Sequence, residues 1–141
     1  MQVIPVFLVS FFSTFYGIYA GEEYGNAVVD KVISVYDGDT FRVNIKDYPP
    51  IIGEDMPIRI AGINTPEIRG TTGYTQEVAQ KARKFTQYQL KKAKIIELKN
   101  MRRGKYFRIV ADVYIDGVNL SRVLIRVGLA KRYDGGPRPT W

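Results

Sequence analysis

Between Ala27 and Ile115 the sequence breaks into short Val/Ile-rich runs divided by Gly, Pro and Asp-Gly punctuation, with one long helical segment among them. That order of pieces limits the fold more than composition does. Ala27–Tyr36 reads as a strand and Asp37-Gly38-Asp39 as a hairpin turn. Thr40–Lys46 returns as a second strand, with Phe41, Val43 and Ile45 alternating. Asp47–Asp55, with Pro49, Pro50 and Gly53, reads as a loop, and Met56–Ile63 as a third strand. Asn64–Gly73 is a second loop, broken by Pro66, Gly70 and Gly73. Thr75 can cap a helix that places Val78, Ala82, Phe85 and Leu90 on one face and runs to about Ala93. Lys94–Lys99 and Phe107–Ile115 are further strands, the second turned by Asp116-Gly117. Leu120, Val123, Leu124 and Val127 then follow helical spacing until Gly128 stops them.

Three strands, a helix, two strands and a second helix predict an α+β fold, a five-stranded Greek-key β-barrel of the OB type with two packed helices. A chain of 141 residues that is 45% hydrophobic can fill one such core. The folded domain is expected over residues 21–141. Ahead of it, Val3 to Ala20 carries no charge, and the first charged residues are Glu22 and Glu23. Residues 1–20 read as a signal peptide cut after Ala20, or as an uncleaved membrane anchor, since no Lys or Arg precedes the run. About 18 mostly apolar residues just suffice to span a bilayer. The first reading implies export, as a secreted or periplasmic protein.

Lys and Arg number 21 against 14 Asp and Glu, a net charge of +7. Such an excess on a small body favours polyanionic partners, either nucleic acid or an acidic membrane surface. The sequence contains neither His nor Cys. Thiolate nucleophiles, Ser-His triads and Cys/His zinc sites are therefore excluded. Hydrolysis, if any, must run on carboxylates, arginines, hydroxyls and a hard cation such as Ca²⁺ or Mg²⁺ held by oxygen.

Three segments offer those groups at the ends of strand-like runs: Asp37-Gly38-Asp39-Thr40, Arg59 through Thr65-Pro66-Glu67, and Lys105-Tyr106-Phe107-Arg108. Singly, each is ordinary turn or salt-bridge chemistry. Jointly, two arginines, two carboxylates and an amide match metal-assisted attack on a phosphodiester. Guanidiniums pair bidentately with the phosphoryl oxygens, and a carboxylate accepts the proton of the attacking water.

Together with Gly128-Leu129-Ala130, these segments resemble the staphylococcal nuclease family from about Ala27 to Tyr133, in order and spacing as well as composition. The resemblance implies an OB barrel and a Ca²⁺-dependent nuclease of low sequence specificity acting on DNA and/or RNA. It assigns Asp39 as a Ca²⁺-ligating carboxylate and Thr65 as a ligand through its backbone carbonyl. Glu67 becomes the carboxylate that orients or deprotonates water, and Arg59 and Arg108 the arginines that hold the scissile phosphate. Tyr106 matches a phosphate-contacting tyrosine with Lys105 beside it, and Tyr133 lies close to a nucleotide-stacking tyrosine, one residue short in spacing. Asn64 stands where the family typically has a second Ca²⁺-binding Asp, so this metal position offers a neutral oxygen instead. The family's longer helical tail has no counterpart here. The expected enzyme is a monomer with no protein partner. The alternatives are a non-catalytic OB-type binder of single strands and a basic module held on acidic lipid.

Overall fold

The structure, a computed structural model, describes residues 22–141, so the expectation for residues 1–20 lies outside it. Its centre is a closed barrel. The strands are β1 (Ala27–Asp37), β2 (Thr40–Ile45), β3 (Met56–Ile60), β5 (Ile96–Arg103) and β6 (Ile109–Ile115). The first three form an antiparallel meander, β5 joins the free edge of β1, and β6 joins β5. A parallel pairing of β3 with β6, Ile58 against Ile109 and Ile60 against Ala111, closes the ring. Closing so few strands needs strong coiling, and β1 provides it through irregularities after Val29, Val32 and Val35.

Alternation in β2 and β3 sends Phe41, Val43, Ile58 and Ile60 into the barrel, all essentially inaccessible to water. Leu98 and Val113 fill it from the opposite wall. Each such side chain contributes about 1.5–3 kcal/mol of burial. Helix α2 (Gly73–Lys92) lays Val78, Ala79, Ala82, Thr86 and Leu90 against this body, chiefly on β1. Its lysines at positions 81, 84, 91 and 92 fall outside that buried stripe. Helix α3 (Leu120–Arg126) buries Leu120 and Leu124 against β6. The Asn119 side chain starts α3 by accepting from the Ser121 and Arg122 N–H groups at 2.9 and 3.3 Å.

The expected fold is thus the observed one, with local differences. A third, four-residue helix, α1 (Pro50–Gly53), occupies the loop expected over Asp47–Asp55, because Pro50 at its start pre-sets a helical φ. Strand β3 ends at Ile60 rather than Ile63, since Gly62 turns the chain at φ +76°. Ile63–Asn64 then forms β4, paired with β8 (Lys131–Arg132). Helix α2 starts at Gly73, with extended Thr72 as its cap residue, so Thr75 lies within the first turn. Strand β6 starts at Ile109, after Tyr106 and Phe107 adopt left-handed φ values of +59° and +52°. Val127 is the C-cap of α3 and 47% exposed, not a core position. Asp116 and Gly117, both at positive φ, form the primed turn into β7 (Val118–Asn119).

Gly38 serves a purpose that its turn position does not reveal. Neither Gly38 nor Asp39 has a positive φ. A Cβ on Gly38 would instead meet the Ala82 Cβ at 2.7 Å and the Thr65 Cγ2 at 2.9 Å. The Thr86 hydroxyl of α2 also donates to the Gly38 carbonyl at 2.6 Å. The hairpin tip is pressed onto the helix. Gly38→Ala is expected to lower stability by about 1–3 kcal/mol through overpacking. Gly136→Ala, whose Cβ would meet only Asp134 at 3.7 Å, should stay within about 0.5 kcal/mol. Urea midpoints of the two variants check this, and equal midpoints would refute the close approach.

Candidate active site

The β1–β2 turn delivers Asp37 and Asp39, both buried. Asp39 is tied from three directions. Arg59 on β3, the cross-strand partner of the adjacent Thr40, forms an ion pair with Oδ2. The Thr65 N–H donates to the same oxygen at 2.7 Å, and the Thr40 hydroxyl donates to Oδ1 at 3.0 Å. Arg59 also donates through Nη2 to the Ile63 carbonyl at 3.0 Å, which holds the β3–β4 bend beside it. The Ile68 N–H donates to Asp37 Oδ1 at 3.2 Å, and this anchors the loop that carries Glu67.

Arg108 arrives from the other side of the barrel seam. Parallel pairing sets Arg59 against Val110, and Arg108 lies two residues upstream on the same face. Burial and then the neighbouring Arg59 hold the Arg108 pKa below the usual guanidinium value. Its Nε is buried without a hydrogen-bond partner, and among the described residues it forms no ion pair. A half-buried cation with an unpartnered Nε beside a second arginine is an arrangement that an anion would neutralise.

These groups surround one cavity of about 270 Å³. Asp39, Arg59, Asn64, Thr65, Glu67 and Arg108, six of the residues singled out in the sequence, line it together. Tyr133 stands near it, its ring centre 6.0 Å from the Arg59 guanidinium carbon. Lys105 and Tyr106 do not line it. They occupy the β5–β6 turn, where left-handed backbone leaves Tyr106 88% exposed.

Arg69 and Arg138, which the sequence motifs do not assign a role, line the cavity as well, and so does Asp37. Asp37 was legible as a turn residue only. Arg138 reaches Glu67 Oε1 from the carboxy-terminal tail in an ion pair, and Trp141 Nε1 donates to Asn64 Oδ1 at 3.2 Å. Lys131 fastens the same tail by donating to the Thr140 carbonyl and lying 4.7 Å over the Trp141 ring. No local pattern in the sequence announces those long-range contacts.

The donors suit a hard cation. They are oxygens throughout: the carboxylates of Asp37, Asp39 and Glu67, the Asn64 amide, and the Thr65 carbonyl and hydroxyl. The Thr65 hydroxyl is buried without a partner among the described residues. Burial raises the Asp37 carboxyl pKa; the Ile68 N–H opposes this, while Asp39 and Glu67 add like-charge repulsion. A cation would relieve both conditions, and Asn64 Oδ1 keeps a lone pair after accepting from Trp141. Among the described residues no three carboxylates are grouped closely enough to cage an ion by themselves, so neutral oxygens must complete any coordination.

Residues 57–139 match the family described as staphylococcal nuclease homologue. An uncharacterised protein of Methanocaldococcus jannaschii is 32% identical over 126 residues, covering 73% of this chain and 58% of the relative. Endonuclease YncB of Bacillus subtilis is 31% identical over 108 residues, or 75% and 47% of the two chains. The thermonuclease of Staphylococcus hyicus is 31% identical over 113 residues, or 79% and 63%. With its barrel and motif order, the chain belongs to the staphylococcal nuclease family. It spans about half to two thirds of the length of these relatives.

The tail is lightly held. The Arg138 and Glu67 side chains are 63% and 48% exposed, and a pair so solvated contributes about 0–1 kcal/mol. Trp141 is the only tryptophan in the sequence, so its emission reports the seat of the tail. Arg138→Gln is expected to shift that emission to the red while the urea midpoint hardly moves. Emission identical to the wild type would show that the pair does not seat the tail.

Proposed function

We propose that this protein is a Ca²⁺-dependent nuclease that hydrolyses phosphodiesters of DNA, and of RNA as a second substrate, with low sequence specificity. The observation that carries the proposal is the half-buried Arg108 guanidinium, its Nε without a partner among the described residues, beside Arg59 in a cavity that Asp37, Asp39 and Glu67 also line. Kinship with a thermonuclease and an endonuclease supports it. Two guanidiniums can bind the scissile phosphate through paired N–H groups. They stabilise the added charge as water approaches phosphorus, at little reorganisation because packing already fixes them.

Glu67 accepts the proton of the attacking water once Arg138 releases it. Asp39, the Asn64 amide and the Thr65 carbonyl would hold the Ca²⁺, which when bound supplies further charge neutralisation at the phosphoryl oxygens. Asp39 is already oriented by Thr40, Thr65 and Arg59 and need not reorganise. Tyr133 at the rim, and Lys105 and Tyr106 on the exposed turn, extend the contact to neighbouring nucleotides. Export, with loss of residues 1–20, belongs to the same proposal and rests on the uncharged apolar run before Glu22. A mature protein recovered from its host should then begin at or near Gly21.

Purified protein incubated with single-stranded DNA should cleave it with Ca²⁺ and stop on addition of chelator. Arg59→Ala and Arg108→Ala should each lose on the order of 10²-fold or more in rate. Glu67→Gln should lose turnover while keeping nucleic-acid affinity. Cleavage unchanged in chelator sinks the metal mechanism, and binding without cleavage under every divalent ion identifies a pure binder. Asn64→Asp should tighten Ca²⁺ binding, since an anionic oxygen better offsets dehydration of the ion. Titration calorimetry reads this directly, and unchanged affinity would remove residue 64 from the coordination.

A further inference from the structure

A second cavity, of about 340 Å³, lies against the first, and Arg108 lines both. Its size falls within the range of small-ligand sites, about 300–1,000 Å³. Its character is different. Tyr24, Tyr48 and Phe107 provide aromatic walls, and Met56 and Met101 belong to its lining. Arg102 and Arg103 are its other charged residues besides Arg108, and among the described residues no carboxylate lines it. A ligand for such a place has a flat, weakly polar body and an anionic attachment.

We propose that this cavity receives an unpaired base of the strand whose phosphate lies between Arg59 and Arg108. The proposal rests on the nuclease reading above and adds a base-binding subsite to it. Three observations carry it. Shared Arg108 makes the two cavities adjoin, so a strand gripped at the phosphate has its next nucleotide at the mouth of the second. Phe107 is 62% exposed and Tyr24 57% exposed while lining the space, which leaves free faces for stacking. Tyr106 and Phe107 are consecutive non-glycine residues in the left-handed region, a conformation that costs about 1–2 kcal/mol per residue. The turn is nonetheless closed by the Gly104 N–H donating to the Arg108 carbonyl at 2.7 Å. The chain therefore holds aromatic rings outward at this turn against its own preference. Arg102 and Arg103 form no ion pair among the described residues and are exposed, free to meet the next phosphate.

The test is an abasic scan. The full chain in chelator, where nothing is cut, is titrated into short single-stranded DNA followed by fluorescence anisotropy. One strand is intact, and each of the others lacks the base at one position. For the wild type, removing one base is expected to weaken binding about 10-fold, within the range of a base stacked on an aromatic ring. To place the scan in register, each strand carries a non-hydrolysable linkage at the position meant for the Arg59–Arg108 clamp. Phe107→Ala should lose a similar factor on the intact strand and almost nothing on the strand already lacking that base. Tyr24→Ala provides a second exposed position with the same expectation. A flat scan, or a Phe107→Ala loss equal on intact and abasic strands, overturns the subsite, as does failure to bind any strand. If the wild type cuts DNA in Ca²⁺ but the scan is flat, the subsite fails and the nuclease reading stands. If the scan behaves as expected and no divalent ion supports cutting, the reverse holds.

Discussion

The site depends first on the buried carboxylate of Asp39. It accepts from the hairpin's own Thr40 and from the Thr65 backbone in the following loop, and it forms an ion pair with Arg59 on β3. Three segments that would otherwise end independently are thereby fixed to one point. Removing one partner of such a buried pair leaves the other charge without compensation, a change of about 3–5 kcal/mol. The same carboxylate would therefore serve stability in the ligand-free protein and coordination in the loaded one. A cation held by Asp39 would share that carboxylate with Arg59, which would therefore stand beside it by construction.

The barrel was legible because its strands alternate and its turns are chemically marked. Phe41, Val43 and Ile45 announce their inward face, and Asp116-Gly117 can hardly be other than a primed turn. Strand ends were less legible where backbone strain decides them. Nothing in the residue types of Tyr106 and Phe107 says that both adopt positive φ. Gly38 shows a subtler limit: its turn position was readable, but the reason for glycine is the approach of Ala82 and Thr65 from distant segments.

The site divides in the same way. Asp39, Arg59, Asn64, Thr65, Glu67 and Arg108 line one cavity, because the meander and the parallel seam bring their strand ends to one mouth. Lys105 and Tyr106 did not line that mouth, since their turn bends outward. Arg138 and Trp141 were not readable at all. Their partners, Glu67 and Asn64, are separated from them by 71 and 77 positions, and an arginine in a Gly- and Pro-rich tail carries no local signature. The cavity thus holds four arginines against three acidic side chains. Its positive balance is assembled from four separate stretches of chain and cannot be seen in any one of them.

The parallel join between β3 and β6 has a consequence for timing. Asp39 and Arg59 belong to a hairpin meander whose pairings are short-range, whereas Arg108 enters only when the last strand of the barrel closes against β3. During synthesis from the amino terminus, β6 is the final wall to emerge. A growing chain therefore carries Arg59 before Arg108, and the cavity that both line is completed only with β6. The two arginines come to line one cavity only through the pairing that closes the barrel.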